Sequence, residues 1–243
     1  MNSPIRAVTF DYWDTLVHEP PEELRERRVR IWAGLLGKAG IPVDPDGLRR
    51  ALDASWDRYV DAWQANRQYR YPEAVDDALA FVGLDPSPAL RDALAAAFRD
   101  PGIDGADLHL AEGLHEVLAD LRERGVRIGI VCDVGMTPSP VLRSVLERHG
   151  VLGHFDHWSF SDEVGCYKPA AEIFQHALAG LGAPPPDRVV HVGDRRRTDV
   201  AGALGMGMTA VRFARWFDDA GPGPEAHHVL VRHADLPAAL GIA

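Results

Sequence analysis

The chain has 243 residues, 46% of them hydrophobic, which is enough for one large domain or for a core with a modest second domain. Its formal net charge of −10 argues against nonspecific binding to nucleic acid or to an anionic membrane. Two cysteines cannot form a disulfide framework, the first ten residues lack a signal-peptide pattern, and no apolar run approaches membrane-spanning length. We therefore expect a cytoplasmic protein with no nucleic-acid or membrane partner.

The first predicted element is a buried strand, Ala7–Phe10, which ends at a charged residue, Asp11. A charge directly after an apolar strand is costly unless the charge is used in chemistry, paired or bound to a metal. A carboxylate in such a place can attack phosphorus or an activated carbon and form a covalent ester. On its own this pattern only suggests that Asp11 is a nucleophile, since a turn or helix-capping role is the default for a lone carboxylate; the three later stretches described below make Asp11 the candidate nucleophile.

A long helical segment follows this strand. Four runs with apolar residues at helical spacing begin near Pro20, Asp46, Pro72 and Pro88. No stretch within the segment has the pattern of a buried strand. We predict a helical domain over residues 18–107, inserted between the first strand and the rest of the chain, with residues 101–108 as the return linker.

The remainder of the chain alternates apolar strands with helices. The predicted strands cover residues 126–131, 155–160, 188–192, 209–213 and 228–231, and the predicted helices cover residues 112–124, 140–149, 170–181 and 198–204. This alternation predicts an α/β fold, a Rossmann-like parallel sheet flanked by helices and built from residues 1–17 and 108–243. Ligands of such sheets bind outside the carboxyl ends of the strands, so we expect one cleft to collect Asp11, Cys132 and Asp194.

Four stretches follow one another in a fixed order, and each contains or directly follows an apolar run and ends in residues suited to phosphate or cation chemistry. They are residues 7–17 (AVTFDYWDTLV), 126–133 (VRIGIVCD), 165–169 (GCYKP) and 189–199 (VVHVGDRRRTD). Together they resemble the four-motif signature of the haloacid dehalogenase-like (HAD) hydrolase superfamily over nearly the whole chain. The helical insertion between the first two motifs resembles the subclass whose mobile cap closes over small substrates.

The resemblance implies a hydrolase, and most simply a phosphatase that forms an aspartyl-phosphate on Asp11. It implies that Mg²⁺ is held by Asp11 and Asp194, with Asp199 supporting the site and the backbone carbonyl of Trp13 as a further candidate ligand. Two carboxylates with substrate oxygens and water suit this ion. Lys168 would hold the phosphoryl group and the nucleophile in line. The implied partner is a small phosphorylated metabolite, and the implied assembly a monomer or homodimer.

The sequence departs from the phosphatase pattern at four positions. Trp13 stands where the family has an acid/base aspartate, and losing a general acid/base typically costs about 10²–10⁴ in rate. Asp14, the next residue, is our hypothetical replacement for that acid. Cys132 and Asp133 stand where a serine or threonine and often an asparagine are expected. We assign Trp13, Cys132 and Asp133 to substrate binding, although an unpaired Asp133 would repel phosphate and Cys132 has the character of a small buried residue.

Two alternatives to the phosphatase remain open. Trp13 fits a metal-independent 2-haloacid dehalogenase that forms an ester on the same Asp11, because those enzymes have an aromatic residue there. They do not keep the glycine-aspartate pair found here at Gly193 and Asp194. A catalytically weakened HAD fold with a binding or regulatory role is the other alternative.

Three consecutive arginines, Arg195, Arg196 and Arg197, could line the approach of an anionic substrate. Three arginines on a loop are, however, more often simply solvated. The helical segment also contains aromatic residues that could contact substrate, although aromatic residues at helical spacing more often form a domain's own core. They are Trp32, Tyr59, Trp63, Tyr69 and Tyr71.

Overall fold

The computed structural model of the chain describes residues 5–102 and 108–242. Most of the predicted return linker, and the domain boundary predicted at residue 107, lie outside these ranges. No helix in the described ranges has both the length and the apolar character needed to cross a membrane.

A six-stranded, all-parallel sheet forms the centre of the protein, as the sequence predicted. Its strands are β1 (Ala7–Phe10), β4 (Arg127–Cys132), β5 (His157–Phe160), β6 (Val189–Gly193), β7 (Thr209–Phe213) and β8 (His228–Leu230). The spatial order is β5-β4-β1-β6-β7-β8, so β1 lies in the middle and pairs with both β4 and β6. The carboxyl ends of these three strands therefore lie side by side.

Helices cover both faces of the sheet. They are α5 (Leu114–Glu123), α6 (Ser139–Arg148), α7 (Ser161–Val164), α8 (Ala171–Gly180), α9 (Ala201–Gly205) and α10 (Leu236–Ala239). Because side chains alternate along a strand, Val8 and Phe10 of β1 join one apolar cluster while Ala7 joins another. Both faces are buried, which explains why the strands are nearly continuous apolar runs.

Two elements differ from the sequence-based expectation. The strand predicted at 155–160 begins only at His157, because Leu152–His154 forms a 3-10 turn before it. The helix predicted at 198–204 is a π-helical turn, Arg196–Val200, followed by the short α9. The carbonyl of Arg195 accepts from the backbone N–H groups of both Asp199 and Val200, which widens this first turn.

Four helices lie in the described part of the predicted helical segment, residues 18–102, which is called the helical insert below. They are α1 (Pro21–Lys38), α2 (Pro45–Gln64), α3 (Tyr71–Phe81) and α4 (Pro88–Arg99). A proline stands in the first turn of each, where its missing N–H costs nothing, and the Asp44 side chain accepts from the backbone N–H groups of Asp46 and Gly47 to begin α2. The insert joins the main body through a short antiparallel ribbon of β2 (Val17–His18) and β3 (His109–Leu110).

The helical insert has an apolar cluster of its own. Trp32 is fully buried there, and its indole N–H donates to the carbonyl of Leu94 over 3.0 Å. Two residues of the main body, Met136 and Tyr167, also belong to this cluster. The insert is therefore packed against the main body through shared apolar contacts, and we retain its division into a separate domain at residues 18–107 as a proposal.

A buried histidine connects the C-terminal segment to the loop after β1. The Nε2–H of His233 donates to the carbonyl of Thr15 over 2.8 Å, and its ring stacks on Phe213 with the ring centroids 4.2 Å apart. Phe10 meets the same ring edge to face. Burial lowers the pKa of His233 to about 4, although the Thr15 carbonyl partly opposes this shift.

We expect the free energy of unfolding to fall as the pH falls from about 6.5 to about 4, because the unfolded chain then binds a proton at His233 that the folded chain does not. This one group contributes about 3 kcal/mol to the decrease. Urea unfolding at several pH values measures the effect, with His233→Gln as the control that retains a side-chain N–H. Equal pH dependence in the parent and the variant would contradict the assignment to His233.

Candidate active site

The candidate nucleophile lies at the centre of the carboxyl edge of the sheet. The backbone N–H of Asp11 donates to the carbonyl of Val192 over 2.8 Å, so Asp11 continues the β1–β6 pairing by one residue. Its side chain is only 7% exposed. Around it the fold brings together Lys168, Asp194 and Asp199, the other charged residues that the sequence selected as one site.

Lys168 bridges two of these carboxylates. Its Nζ lies 2.5 Å from Oδ1 of Asp11 and 2.6 Å from Oδ1 of Asp199, and the lysine side chain is 2% exposed. Burial alone would lower the pKa of Lys168, but Asp11 and Asp199 outweigh burial and raise it well above its usual value. The amine therefore stays charged and holds the carboxylate of Asp11 in one orientation.

His191, which is not among the predicted site residues, forms a hydrogen bond with Asp199. Nε2 of His191 lies 3.0 Å from Oδ1 of Asp199, and Nδ1 lies 2.9 Å from the hydroxyl of Thr9. Burial lowers the pKa of His191, so the neutral ring donates to Asp199 and accepts from Thr9. The signal was present in the sequence: Thr9 and His191 are polar residues within otherwise apolar strands, and they pair in register.

Three buried carboxylates could hold a metal ion. One oxygen each of Asp11, Asp194 and Asp199 lies within 4.8 Å of the other two. Burial raises the pKa of Asp11 to about 7 and that of Asp194 well above its usual value, and in each case Asp199 adds to the increase. The site is therefore short of positive charge, and the oxygen-only donor set fits a hard divalent cation such as Mg²⁺.

The three carboxylates do not have equal freedom to bind a metal. Both oxygens of Asp199 already accept hydrogen bonds, Oδ1 from Lys168 and His191 and Oδ2 from the backbone N–H of Arg195. Lys168 and His191 outweigh the effect of burial and lower the pKa of Asp199. Asp199 therefore fits the supporting role expected for it better than a direct one.

Gly193 is required by the position of Asp199. A Cβ atom at residue 193 would lie 2.3 Å from the Cγ atom of Asp199, a distance that side chains do not tolerate. The Nε atom of Arg195 lies 3.0 Å from Oδ2 of Asp194 and supplies part of the missing positive charge. The lack of a side chain at Gly193 is thus what lets β6 end against the carboxyl group of Asp199.

Trp13 and Asp14 lie beside this cluster. Trp13 is half-buried, packs against the main apolar cluster, and meets the ring of Tyr12 edge to face at 5.0 Å. Asp14 has a left-handed backbone with φ of 54°, and its Oδ1 lies 2.7 Å from Nδ1 of His18. His18 in turn stacks on Trp216. The roles predicted for Trp13 in substrate and metal binding and for Asp14 in proton transfer remain predictions.

Cys132 and Asp133 of the second motif lie in different surroundings: Cys132 lies in the apolar core, and Asp133 lies against the Lys168 loop and the helical insert. Cys132 is fully buried among apolar side chains, and burial raises the pKa of its thiol. Oδ1 of Asp133 accepts from the backbone N–H of Lys168 over 2.9 Å, and Oδ2 accepts from the indole N–H of Trp63 over 2.8 Å. Both oxygens of Asp133 thus have a hydrogen-bond donor, but neither donor carries a charge that would cancel that of the carboxylate. Substrate contact by either residue remains a prediction.

The helical insert lies against the loop that carries Lys168. Besides Trp63 on Asp133, the side chain of Asn66 accepts from the backbone N–H of Tyr167 over 2.8 Å. The hydroxyl of Tyr167 donates to the carbonyl of Tyr69 over 3.2 Å. Since Trp63 also lies against the guanidinium of Arg197, the insert touches three of the four motifs directly. Of the aromatic residues that the sequence singled out there, Trp63 contacts a motif residue through its side chain, whereas Trp32 serves the insert's own core.

Comparison with known proteins agrees with this geometry. A family model described as haloacid dehalogenase-like hydrolase matches residues 5–207. A glyceraldehyde 3-phosphate phosphatase of Methanopyrus kandleri is 32% identical over 213 residues, which are 87% of this chain and 84% of that protein. A solved HAD phosphatase from Thermococcus onnurineus matches with a TM-score of 0.65 and 26% identity over 98% of both chains. A 2-haloacid dehalogenase from Pseudomonas syringae matches with a TM-score of 0.72 and 21% identity over 98% of both, a likeness of fold alone.

Proposed function

The chain belongs to the haloacid dehalogenase-like hydrolases, and on that premise we propose that it is a Mg²⁺-dependent phosphatase of a small phosphorylated metabolite. The observation that carries the proposal is the position of Lys168, whose Nζ lies within 2.6 Å of both Asp11 and Asp199 beside the buried Asp194. The name of the Methanopyrus kandleri relative, a phosphatase, supports the same reaction class.

In the proposed reaction, a carboxylate oxygen of Asp11 attacks phosphorus in line with the leaving oxygen. The bond from phosphorus to that oxygen breaks, the alcohol takes up a proton, and the phosphoryl group remains as an ester on Asp11. Water then attacks the phosphorus, which releases phosphate and restores the carboxylate. Lys168 orients Asp11 and balances the negative charge of the phosphoryl oxygens.

Mg²⁺, held by Asp11 and Asp194 and indirectly by Asp199, would neutralise phosphoryl oxygens and lower the repulsion between them and the attacking carboxylate. The surplus of buried carboxylates over buried cations in this cluster supports that role. His191 and the backbone of Arg195 hold Asp199 in place, so that Lys168 keeps its position between the two carboxylates.

The proton for the leaving alcohol needs a source, because the indole of Trp13 cannot supply it. We propose Asp14, which is three residues after Asp11. Its carboxyl group is held by His18 at 2.7 Å. Asp14 contributes to the electrostatic increase in the pKa of Asp194, which places its charge near the metal-binding carboxylates. The side chains of Asp14 and His18 are 28% and 24% exposed, so solvent reaches both.

Trp13 is also the observation that favours a second candidate, the metal-independent 2-haloacid dehalogenase. In that reaction Asp11 would displace a halide from carbon. The buried Asp194 and its paired Gly193 favour the phosphatase, because a metal-free reaction gives no use for a third buried carboxylate, whose own pKa is raised by burial and by Asp199 and Asp11. A weakened HAD fold that only binds ligands is less compatible with the intact contacts of Lys168.

The test is release of phosphate from a panel of small phosphomonoesters, measured with Mg²⁺ and with a chelator. We expect turnover with Mg²⁺ and a loss of at least about 10²-fold with the chelator, since the metal supplies several kcal/mol of charge stabilisation.

Asp14→Asn in the same assay is expected to lower turnover by about 10²-fold. Unchanged turnover in that variant would remove Asp14 from the mechanism. Halide release from 2-haloacids without metal, and no phosphate release, would replace the phosphatase by the dehalogenase.

A further inference from the structure

Arg197 lies where the helical insert meets the motif that carries Asp199. Its guanidinium carbon is 3.8 Å from the centre of the Trp63 ring, close enough for a strong cation–π contact. Trp63 is fixed in turn by Asp133, the residue that also accepts from the backbone N–H of Lys168. Arg197 is thus at the junction of the insert, the Lys168 loop and the turn of Asp199.

One terminal nitrogen of this guanidinium, Nη2, is buried without a hydrogen-bond partner among the described residues. A buried charged donor left unsatisfied is costly, so such groups usually have a partner of opposite charge. Its two neighbours in the sequence have one each: Arg195 pairs with Asp194, and Arg196 pairs with Glu225.

Other arginines with a buried, unpartnered nitrogen do not have this deficit. Arg25 pairs with Asp53 at 2.9 Å, and Arg212 pairs with Asp218 at 2.6 Å. Within residues 5–102 and 108–242, Arg197 has an orphaned nitrogen and no carboxylate within ion-pair distance. The guanidinium of Arg197 therefore lacks a partner of opposite charge, although the same motif contributes two buried carboxylates, Asp194 and Asp199.

The geometry of phosphoryl transfer indicates what would complete it. In-line attack by Asp11 places the leaving group on the far side of phosphorus, away from the sheet and toward the helical insert. Trp63 and Arg197 form part of the boundary between the insert and the site on that side. A guanidinium on that side would meet the part of the substrate that is not transferred, and planar guanidinium groups bind carboxylate and phosphate with paired hydrogen bonds.

We propose that Arg197 binds a second anionic group on the leaving part of the substrate, so that this chain selects phosphomonoesters of alcohols that carry a carboxylate or another phosphate. The inference rests on the proposed phosphatase reaction and deepens it. It separates this chain from the substrate in the name of its Methanopyrus kandleri relative, because glyceraldehyde 3-phosphate has no second anionic group.

The test compares substrates that differ in that group alone. Glyceraldehyde 3-phosphate and 3-phosphoglycerate differ by an aldehyde against a carboxylate, and fructose 1-phosphate and fructose 1,6-bisphosphate differ by a second phosphate. We expect the parent protein to prefer the anionic member of at least one pair by about tenfold or more in kcat/KM. The pair that shows the preference identifies the anion as carboxylate or phosphate.

Arg197→Gln is expected to remove this preference by raising KM for the substrate with the second anionic group. For the other substrate of the pair, which lacks that group, kcat/KM should change by less than about threefold. Arg197→Lys is expected to restore part of it, because the charge returns without the planar fork. Arg196→Gln is the matched control, since Arg196 is the adjacent arginine and is already paired with Glu225. Its substrate ratios should equal those of the parent.

Two results would overturn the inference: equal kcat/KM for both members of each pair in the parent, or equal losses for both members in Arg197→Gln. Failure of the phosphatase itself is recognised separately, as absence of phosphate release from every compound. Calorimetric binding of the same four compounds to the parent and to Arg197→Gln then decides. Tighter binding of an anionic member that depends on Arg197 would keep the anion site, and equal binding would remove it.

Discussion

Asp11→Asn is expected to reduce phosphate release by a factor on the order of 10⁴ or more. An amide has no charged oxygen with which to attack phosphorus, and no other described carboxylate pairs with Nζ of Lys168 except Asp199, whose oxygens are all engaged. The measurement is kcat for the best substrate of the panel, together with mass spectrometry of the protein quenched during turnover. The parent should show a phosphorylated Asp11 peptide and the variant should not.

The melting temperature of Asp11→Asn shows whether the variant is folded. Burial raises the pKa of Asp11 to about 7, which means that the charged carboxylate is poorly stabilised in the metal-free protein. Replacing it by a neutral amide of nearly the same shape should leave the melting temperature unchanged or raise it. A turnover within about tenfold of the parent would show that Asp11 is not the nucleophile, whatever the melting temperature.

Lys168→Met is expected to damage both stability and activity. The buried amine is the shared partner of Asp11 and Asp199, and removing one member of a buried ion pair typically costs about 3–5 kcal/mol. For a chain of this length that corresponds to a decrease in melting temperature of about 10 °C. Turnover should fall as well, because the phosphoryl oxygens lose a charged partner.

The sequence supplies an unusually clean control, since Lys38 is its only other lysine. Lys38 is exposed at the end of α1, so Lys38→Met should change the melting temperature by less than about 1 °C. Added Mg²⁺ should restore part of the stability of Lys168→Met, because the ion supplies positive charge to the same carboxylates. Equal melting temperatures for Lys168→Met and the parent, with and without the ion, would contradict the charge balance inferred for the site.

The proximity of Asp11 and Asp194 could be predicted from the sequence alone. Asp11 and Asp194 each follow a buried strand, and parallel strands present their carboxyl ends at one edge, so their proximity follows from topology. The family resemblance added Lys168, which lies in a loop and has no strand to place it. Its position between Asp11 and Asp199 is what the fold contributes.

The contacts that sequence reasoning missed depend on register and on packing between segments. The Thr9–His191 pair requires the exact alignment of β1 with β6, although two polar residues in apolar strands were a usable signal. The contact of Trp63 with Asp133 depends on how the helical insert sits on the main body, which no local pattern specifies. The same holds for Arg197, which loop composition alone assigned to solvent.

Burial of Lys168 has a practical consequence for measuring distances in this protein. Acylating dyes react with neutral, accessible amines, and Lys168 is both buried and held in its charged form. Apart from the α-amino group, an amine-reactive dye therefore attaches at Lys38, on the helical insert. The thiols are equally selective, because Cys132 is buried while Cys166, two residues before Lys168, is partly exposed. With the α-amino group blocked, the unsubstituted chain can thus carry one donor fluorophore at Lys38 on the insert and one acceptor at Cys166, and energy transfer between them would report how the two approach each other.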